Sequence, residues 1–361
     1  MLLDLKPQED CELDFLSLGE CMIRLIPPGH QRIELTPYFE AWCGGAEYNI
    51  SYALARLDLR TGWISKLVNN PLGHFIRNHA QTSGMNFSEV VWVPYDGVGR
   101  NVRVGLNFSE IGKGMRSSVM LYDRGHSAAS QMKFEDFDWD RIFNRRKVRW
   151  FHTSGSFNGV SKSAADVIKR VIPMAKQSGA VISYDLNYRS TLWSREKALE
   201  ATKPLIPYVD VLTGSAEDYQ CILGHKIEDY DKKPDMVSRE NYKIMIQNVI
   251  NEYPDLKVIA ITLRQSESAL LHNWSALLYH EGYFYESRKF DKLEIEDRVG
   301  GGDGFCSGLI YGIFNGYEPQ ECVDLGITHG ALIQSTRGNT SIITEEDLLY
   351  VFKGGQPKIR R

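Results

Sequence analysis

The chain lacks any uninterrupted apolar run of about 18 residues, which a membrane-crossing helix needs. Its first ten residues carry acids and Pro7 where an export signal needs an apolar stretch. A soluble, cytoplasmic protein is expected. Positive charge is not in excess either: 42 Lys and Arg against 46 Asp and Glu leave a net charge of −4, too weak a basic field to hold nucleic acid or an anionic membrane. Cysteine is sparse, six in 361 residues. Cys11, Cys21, Cys43, Cys221, Cys306 and Cys322 contain no CxxC pair, which argues against a disulfide framework or a zinc site and for reduced thiols. Several catalytic signatures are also missing. Gly112-Lys113-Gly114 lacks the frame of a G-x-x-x-x-G-K-[ST] loop, and there is no H-E-x-x-H or G-x-S-x-G. No G-x-G-x-x-G follows the first strand, so a nicotinamide-dependent dehydrogenase, which βαβ texture alone would allow, has no fingerprint. His126 and His152 fall near strand ends, but no histidine has metal-ligand spacing.

What is present reads as an α/β chain, either two domains or one large domain with an appendage. A short strand over 15–20 is followed by an alternating one over 22–26, which Pro27-Pro28-Gly29 closes with a turn. Ala46, Ile50, Ala53, Leu54 and Leu57 fall at helical spacing, placing Gly44-Gly45 at a helix N-terminus. Between 97 and 124 alternating, turn-punctuated segments over 101–108 and 118–122 predict an antiparallel stretch. Apolar strands over 148–152, 181–185, 209–212 and 258–262 then alternate with helical segments, as in a mostly parallel sheet. The charged run 227–241 reads as a solvated loop and 353–361 as a frayed basic end.

Three clusters can carry chemistry. Gly300-Gly301-Gly302-Asp303 opens an apolar helix over 306–314. Its glycines let a ligand approach the backbone, and first-turn N–H groups point at whatever anion sits there. Asp303 in that turn could take a proton from a hydroxyl; a tight turn with an N-terminal acid would read the same way. Asp185-Leu186-Asn187-Tyr188-Arg189 closes a strand. If the strand persists, Asp185, Asn187 and Arg189 share a face at the end where open α/β sheets bind ligands, the guanidinium suiting a carboxylate or phosphate; a strand-end salt bridge is the alternative. Asn49 lies one helical turn beyond Gly44-Gly45, placed to bond sugar hydroxyls or merely to cap.

Together, in this order and spacing, the clusters resemble the ribokinase/PfkB family of carbohydrate kinases. Gly44, Gly45 and Asn49 match its G-G-x-x-x-N, and Asp297, Gly300, Gly302, Asp303 and Phe305 match its D-T-x-G-A-G-D-x-F. The segments Gly19-Glu20-Cys21-Met22-Ile23-Arg24-Leu25, Asn69-Asn70-Pro71-Leu72-Gly73, Tyr122-Asp123-Arg124 and Asp185-x-Asn187-x-Arg189 look most like 2-keto-3-deoxygluconate kinases. The resemblance implies one ribokinase-like domain over 1–361, a Rossmann-type three-layer α/β sandwich with a small β-sheet lid from about 21–42 and 96–125. In such kinases the lid often helps build a homodimer. It implies ATP, Mg2+ and, in some members, a monovalent cation, with a sugar or sugar acid as acceptor.

Carried over, Asp303 would be the base, and Gly300, Gly301 and Gly302 the anion hole. Gly45, Asn49, Arg103, Asn107, Arg189 and Asn339 would face the sugar, Arg189 alternatively the ATP phosphates. Asn187, Ser215, Thr262 and Arg264 would lie beside the nucleotide. Four positions depart from the pattern. Gly301 replaces the middle Ala of the anion hole. The N-x-x-E element tied to magnesium reads Ser215-Ala216-Glu217-Asp218, leaving Asp218 or Glu217 for the metal. Asn107 replaces a lid Tyr and Asn339 a late acidic residue. A kinase for another sugar such as fructose, or a catalytically silent sugar-binding protein of the same fold, are the alternatives.

Overall fold

The computed structural model describes residues 2–228, 230 and 237–356. In chain order its strands are β1 (Leu13–Leu18), β2 (Met22–Ile26), β3 (Glu40–Gly44), β4 (Thr61–Asn69), β5 (Val90–Pro94), β6 (Leu106–Glu110), β7 (Val119–Asp123), β8 (Val148–Ser154), β9 (Val181–Asp185), β10 (Val211–Ser215), β11 (Val258–Ser268), β12 (Leu271–His280), β13 (Tyr283–Glu286) and β14 (Phe290–Glu294). Ten form one sheet in the order β13-β12-β11-β10-β9-β8-β1-β4-β5, with β14 also paired to β12. All pairings from β5 to β11 are parallel, and β12, β13 and β14 add an antiparallel edge.

The sheet forms because its strands alternate between two apolar layers. Leu16, Phe151, Ile182, Leu212 and Ile259 face one core, which also takes Val167, Ile168, Val171 and Ile172 of the helix Lys162–Gln177 and Met245, Ile246 and Val249 of the helix Arg239–Glu252. Their chain neighbours Phe15, Trp150, Val181, Val211 and Val258 face the other, against Ile50 and Leu54 of the helix Ala46–Arg56, Phe305 and Leu309 of the helix Gly301–Phe314 and Leu325 of the helix Pro319–Ile333. Helices on both faces of a central sheet give the expected three layers.

The second sheet is small, in the order β3-β2-β6-β7. Its strands lie at 22–26, 40–44, 106–110 and 119–123, beside the 21–42 and 96–125 expected for a lid, and its centre is not antiparallel. β2 pairs β6 in parallel, Ile23 opposite Leu106, because the whole crossover through β4 and β5 separates them. Residues 101–105 contribute no strand there; Arg103 makes an isolated bridge with Ser127. The expected loop 227–241 is shorter than its charge suggests. Ile227 is buried in a core and Arg239 already starts a helix whose Ser238 cap accepts from the Asn241 N–H. Residues 229 and 231–236 of that loop, and 357–361 of the basic end, lie outside the described residues. The cysteines are all free and buried. Among the described residues no helix is long and apolar enough to cross a membrane.

Candidate active site

A cleft of about 970 Å³ runs between the small sheet and the C-terminal ends of β9, β10 and β11. Parallel strands end together there, so backbone groups and side chains from far-apart segments converge on one mouth. Gly300 caps the helix Gly301–Phe314 in the left-handed region at φ 90°, a conformation glycine tolerates. A Cβ on Gly302 would meet nothing within 4 Å, so this part of the turn lies open to the cleft. Gly45 is needed for a different reason: its Cβ would lie 1.8 Å from the carbonyl oxygen of Glu20. That close approach seats the helix Ala46–Arg56 against the chain after β1; its first turn also meets that of the helix Gly301–Phe314, where Asn49 Nδ2 donates to Asp303 Oδ2 at 2.6 Å.

Asp303 stands in an electrostatically crowded place. Burial raises its pKa to about 6, opposed by the Asn49 hydrogen bond and the Arg189 guanidinium. Asp185 is pushed up to about 8 by burial and by the like charges of Asp218 and Asp303, with Asn187 and Arg189 working against the rise. Asn187 Nδ2 donates to Asp185 Oδ2 at 3.0 Å. The strand carrying Asp185 does not persist: it ends there, and Asn187 turns to φ 39°. The three residues still line one cleft, through a turn rather than along a strand face.

Glu47, which the sequence motifs did not single out, joins this group. Burial lifts its pKa to about 7, the Ser154 hydroxyl donates to Oε1, and Asp303 adds to the rise. Its carboxylate fills the space that a side chain at residue 19 would need, since a Cβ on Gly19 would fall 2.1 Å from Glu47 Oε2. The local signal was an acid set among the small and apolar residues of a buried first turn. Arg24 and Asp297 are a second pair that motif matching left unexplained, joined at 2.6 Å with side chains 3% and 2% exposed.

Of the expected residues, Gly45, Asn49, Asn107, Asn187, Arg189, Ser215, Glu217, Asp218, Thr262, Arg264, Gly300, Gly302, Asp303 and Asn339 line the cleft. Gly301 packs beside them under Gln334. Arg103 does not reach it. Its guanidinium donates to both carboxylate oxygens of Asp123 and, from Nε, to the Gly125 carbonyl at 3.0 Å, which leaves it tied to the lid. Asp218 is a buried acid already well supplied with donors: Ser215 N–H and Oγ at 2.7 Å each on Oδ2, and Tyr188 N–H at 2.8 Å on Oδ1. Glu217 is exposed on the cleft wall. Among the polar atoms of wall residues buried without a protein partner are Asn187 Oδ1, Asn339 Oδ1 and Arg264 Nε. Arg264 lies over the Trp274 ring at 4.7 Å, and burial lowers its pKa to about 9, as the neighbouring Arg298 also does.

The family model described as pfkB family carbohydrate kinase matches residues 13–346. The chain belongs to the pfkB carbohydrate kinase family. The kinase is 27% identical over 348 residues to a 2-dehydro-3-deoxygalactonokinase from Haloferax volcanii, covering 96% of this chain and 99% of that one. It is 23% identical over 327 residues to a 5-dehydro-2-deoxygluconokinase from Clostridium perfringens, covering 90% and 88%. Among solved structures, a 2-dehydro-3-deoxygluconokinase from Thermotoga maritima superposes with a TM-score of 0.88 at 34% identity, over 95% of this chain and 100% of that one. The kinase therefore has the ribokinase-like fold, and its acceptor is a small sugar-type molecule; kinases of this family use ATP.

Proposed function

We propose that the kinase phosphorylates a keto-deoxy sugar acid, 2-keto-3-deoxygluconate in the first instance, using Mg-ATP, with Asp303 as the base. The observation that carries this reading is the Asn49–Asp303 hydrogen bond at the mouth of a glycine-opened helix. Asn49 holds Oδ2 and leaves Oδ1 for the proton of a sugar hydroxyl. That oxygen then forms the new bond to the γ-phosphorus as the bond from γ-phosphorus to the bridging oxygen breaks, ADP leaves, and the proton stays on Asp303. The Gly301–Gly302 N–H groups and the helix dipole face the charge that develops on the transferred group. Arg189, on the cleft wall, would lie between the two ligands and suits either a sugar carboxylate or the phosphates.

The residues present fit a nucleotide-borne divalent ion. No trio of His, Cys, Asp or Glu among the described residues is set to hold a metal by itself. Magnesium on a triphosphate needs only one or two protein oxygens, directly or through water. Glu217 is open for that role, whereas Asp218 would act through the turn it fastens. The ion neutralises the phosphates when bound; the unpartnered Arg264 Nε and Asn187 Oδ1 on the same wall fit a polar ligand there.

One kinase domain with the small sheet as its lid, a homodimer through that lid, and residence in the cytoplasm complete the proposal. On the lid's edge strand Val119 and Leu121 are exposed on the face turned away from the cleft, which such a dimer would cover, while Met120 lines the cleft. The different acids named for the relatives favour a second reading within the class, another keto-deoxy acid of the same length. The test is a coupled ADP-release assay on 2-keto-3-deoxygluconate, 2-keto-3-deoxygalactonate, 5-keto-2-deoxygluconate, gluconate, fructose and ribose, with Asp303→Asn as blank. Selective turnover of a keto-deoxy acid is expected. Turnover of neutral sugars alone would remove the acid assignment.

A further inference from the structure

Resting on the reading above, we infer that Arg24 is a positioning residue that couples the sugar side of the lid to the glycine cradle. A continuous run of hydrogen bonds joins the two. Ser109 Oγ donates to Asn107 Oδ1 at 2.5 Å and accepts from Arg24 Nε at 2.9 Å. Arg24 Nη1 and Nη2 donate to Asp297 Oδ2 and Oδ1 at 2.6 and 3.2 Å, and Asp297 Oδ1 accepts from the Val299 N–H at 3.1 Å. Val299 is the residue before Gly300, whose left-handed turn sets the direction of the N–H groups that follow.

The chemistry of the side chains fixes the sense of this run. Arginine has no acceptor, so Nε must donate to Ser109, and the single hydroxyl proton of Ser109 then goes to Asn107 Oδ1. All four side chains belong to residues at most 3% exposed, so the run is shielded from bulk water. A buried ion pair of this kind is weak evidence for stability, because apolar replacements of similar volume often do as well; its best-attested use is to fix a register. Here the register fixed is that of β2, in the lid, against the loop Asp297-Arg298-Val299 of the main body. Asn107, on the strand paired to β2, lines the cleft, and its two amide hydrogens take no part in the run, so a sugar hydroxyl bound to them pulls on the same run that holds the cradle.

The test uses the full chain and steady-state kinetics with Mg-ATP and the acid it turns over. Arg24→Met would strand Asp297 as an unpaired buried charge and is liable to unfold, so Ser109→Ala is the informative change: it cuts the run while leaving the Arg24–Asp297 pair. Expected for Ser109→Ala is a kcat lower by about tenfold with the sugar KM within about threefold, the signature of lost positioning rather than lost binding. Arg24→Lys, which keeps the charge but not the fork, should show the same split. A kcat within about twofold of wild type in Ser109→Ala, or a loss confined to KM, overturns the coupling. If the wild type phosphorylates none of the acids, the proposed substrate fails separately. The coupling is then read from amide exchange over 299–303 with Mg-ATP present: faster exchange in Ser109→Ala supports it, and unchanged exchange overturns it.

Discussion

The two walls of the cleft are built by different means. The wall at the helix Gly301–Phe314 is made of backbone: a left-handed Gly300, an open Gly302 and N–H groups in a first turn. The lid wall is made of side chains: Arg24, Ser109 and Asn107 are joined by hydrogen bonds, and Arg124 is paired with Glu20. A backbone-built wall needs particular residue types at particular positions. A side-chain-built wall needs a pairing pattern, and many sequences can write the same pattern.

Substitutions should separate the two. Asp303→Asn, at the junction, should fold normally yet lose about 10²-fold or more in kcat, measured in the ADP-release assay; near-wild-type turnover would remove it as the base. On the backbone wall, Gly302→Ala places a methyl in open space, so it should leave the melting temperature within about 2 °C while lowering kcat/KM by about tenfold or more, a dissociation expected only of a ligand cradle. The junction also sets a pH limit. Since the raised pKa of Asp303 is about 6, a required carboxylate makes kcat/KM fall about tenfold per unit as pH drops below that value, and a profile flat to pH 5 would contradict it.

Stability should move the other way. Asp185, Glu47 and Asp303 have folded pKa values of about 8, 7 and 6, above the ordinary carboxyl range. The folded state therefore holds protons that the unfolded chain releases, and stability falls as pH rises from about 4 towards 8. Asp185→Asn removes the largest of these terms and should raise the melting temperature by about 2 °C or more at pH 8, with a smaller rise at pH 5. The smallest effect belongs to the lid. Arg103→Ala loses an ion pair with Asp123 outside the cleft and should leave the sugar KM within about twofold. A tenfold rise would place Arg103 at the sugar after all.

This contrast also governs what the residues reveal when read in order. Gly300 is legible because its left-handed backbone allows few substitutes, and Gly302 and Asp303 because an open, acidic first turn of an apolar helix is a local pattern. The parallel sheet is legible because each strand is a short apolar run. Arg103 and Arg24 are both lid arginines, and nothing local to either says which turns inward. That depends on β2 lying beside β6, a pairing made across 83 residue positions, Ile23 to Leu106, and on Asp123 capturing one guanidinium while Asp297 captures the other. Asp185, Asn187 and Arg189 converge as expected, but by a turn at φ 39° that strand periodicity does not contain. Glu47 carries a signal only once its neighbours are known to be buried.

The Asn49–Asp303 bond joins residues 254 apart in the chain. At the pace of protein synthesis, about 5–20 residues per second, roughly 10–50 s separate the emergence of the first partner from that of the second. Through that interval the helix Ala46–Arg56 and the lid strand β2 are present while Asn49 and Arg24 wait for carboxylates that have not yet been made. β1 likewise waits for β8 on one side after it can already pair with β4 on the other. The cleft thus closes late, and a nascent chain passes through a state with an open sheet edge, the state in which holding chaperones act.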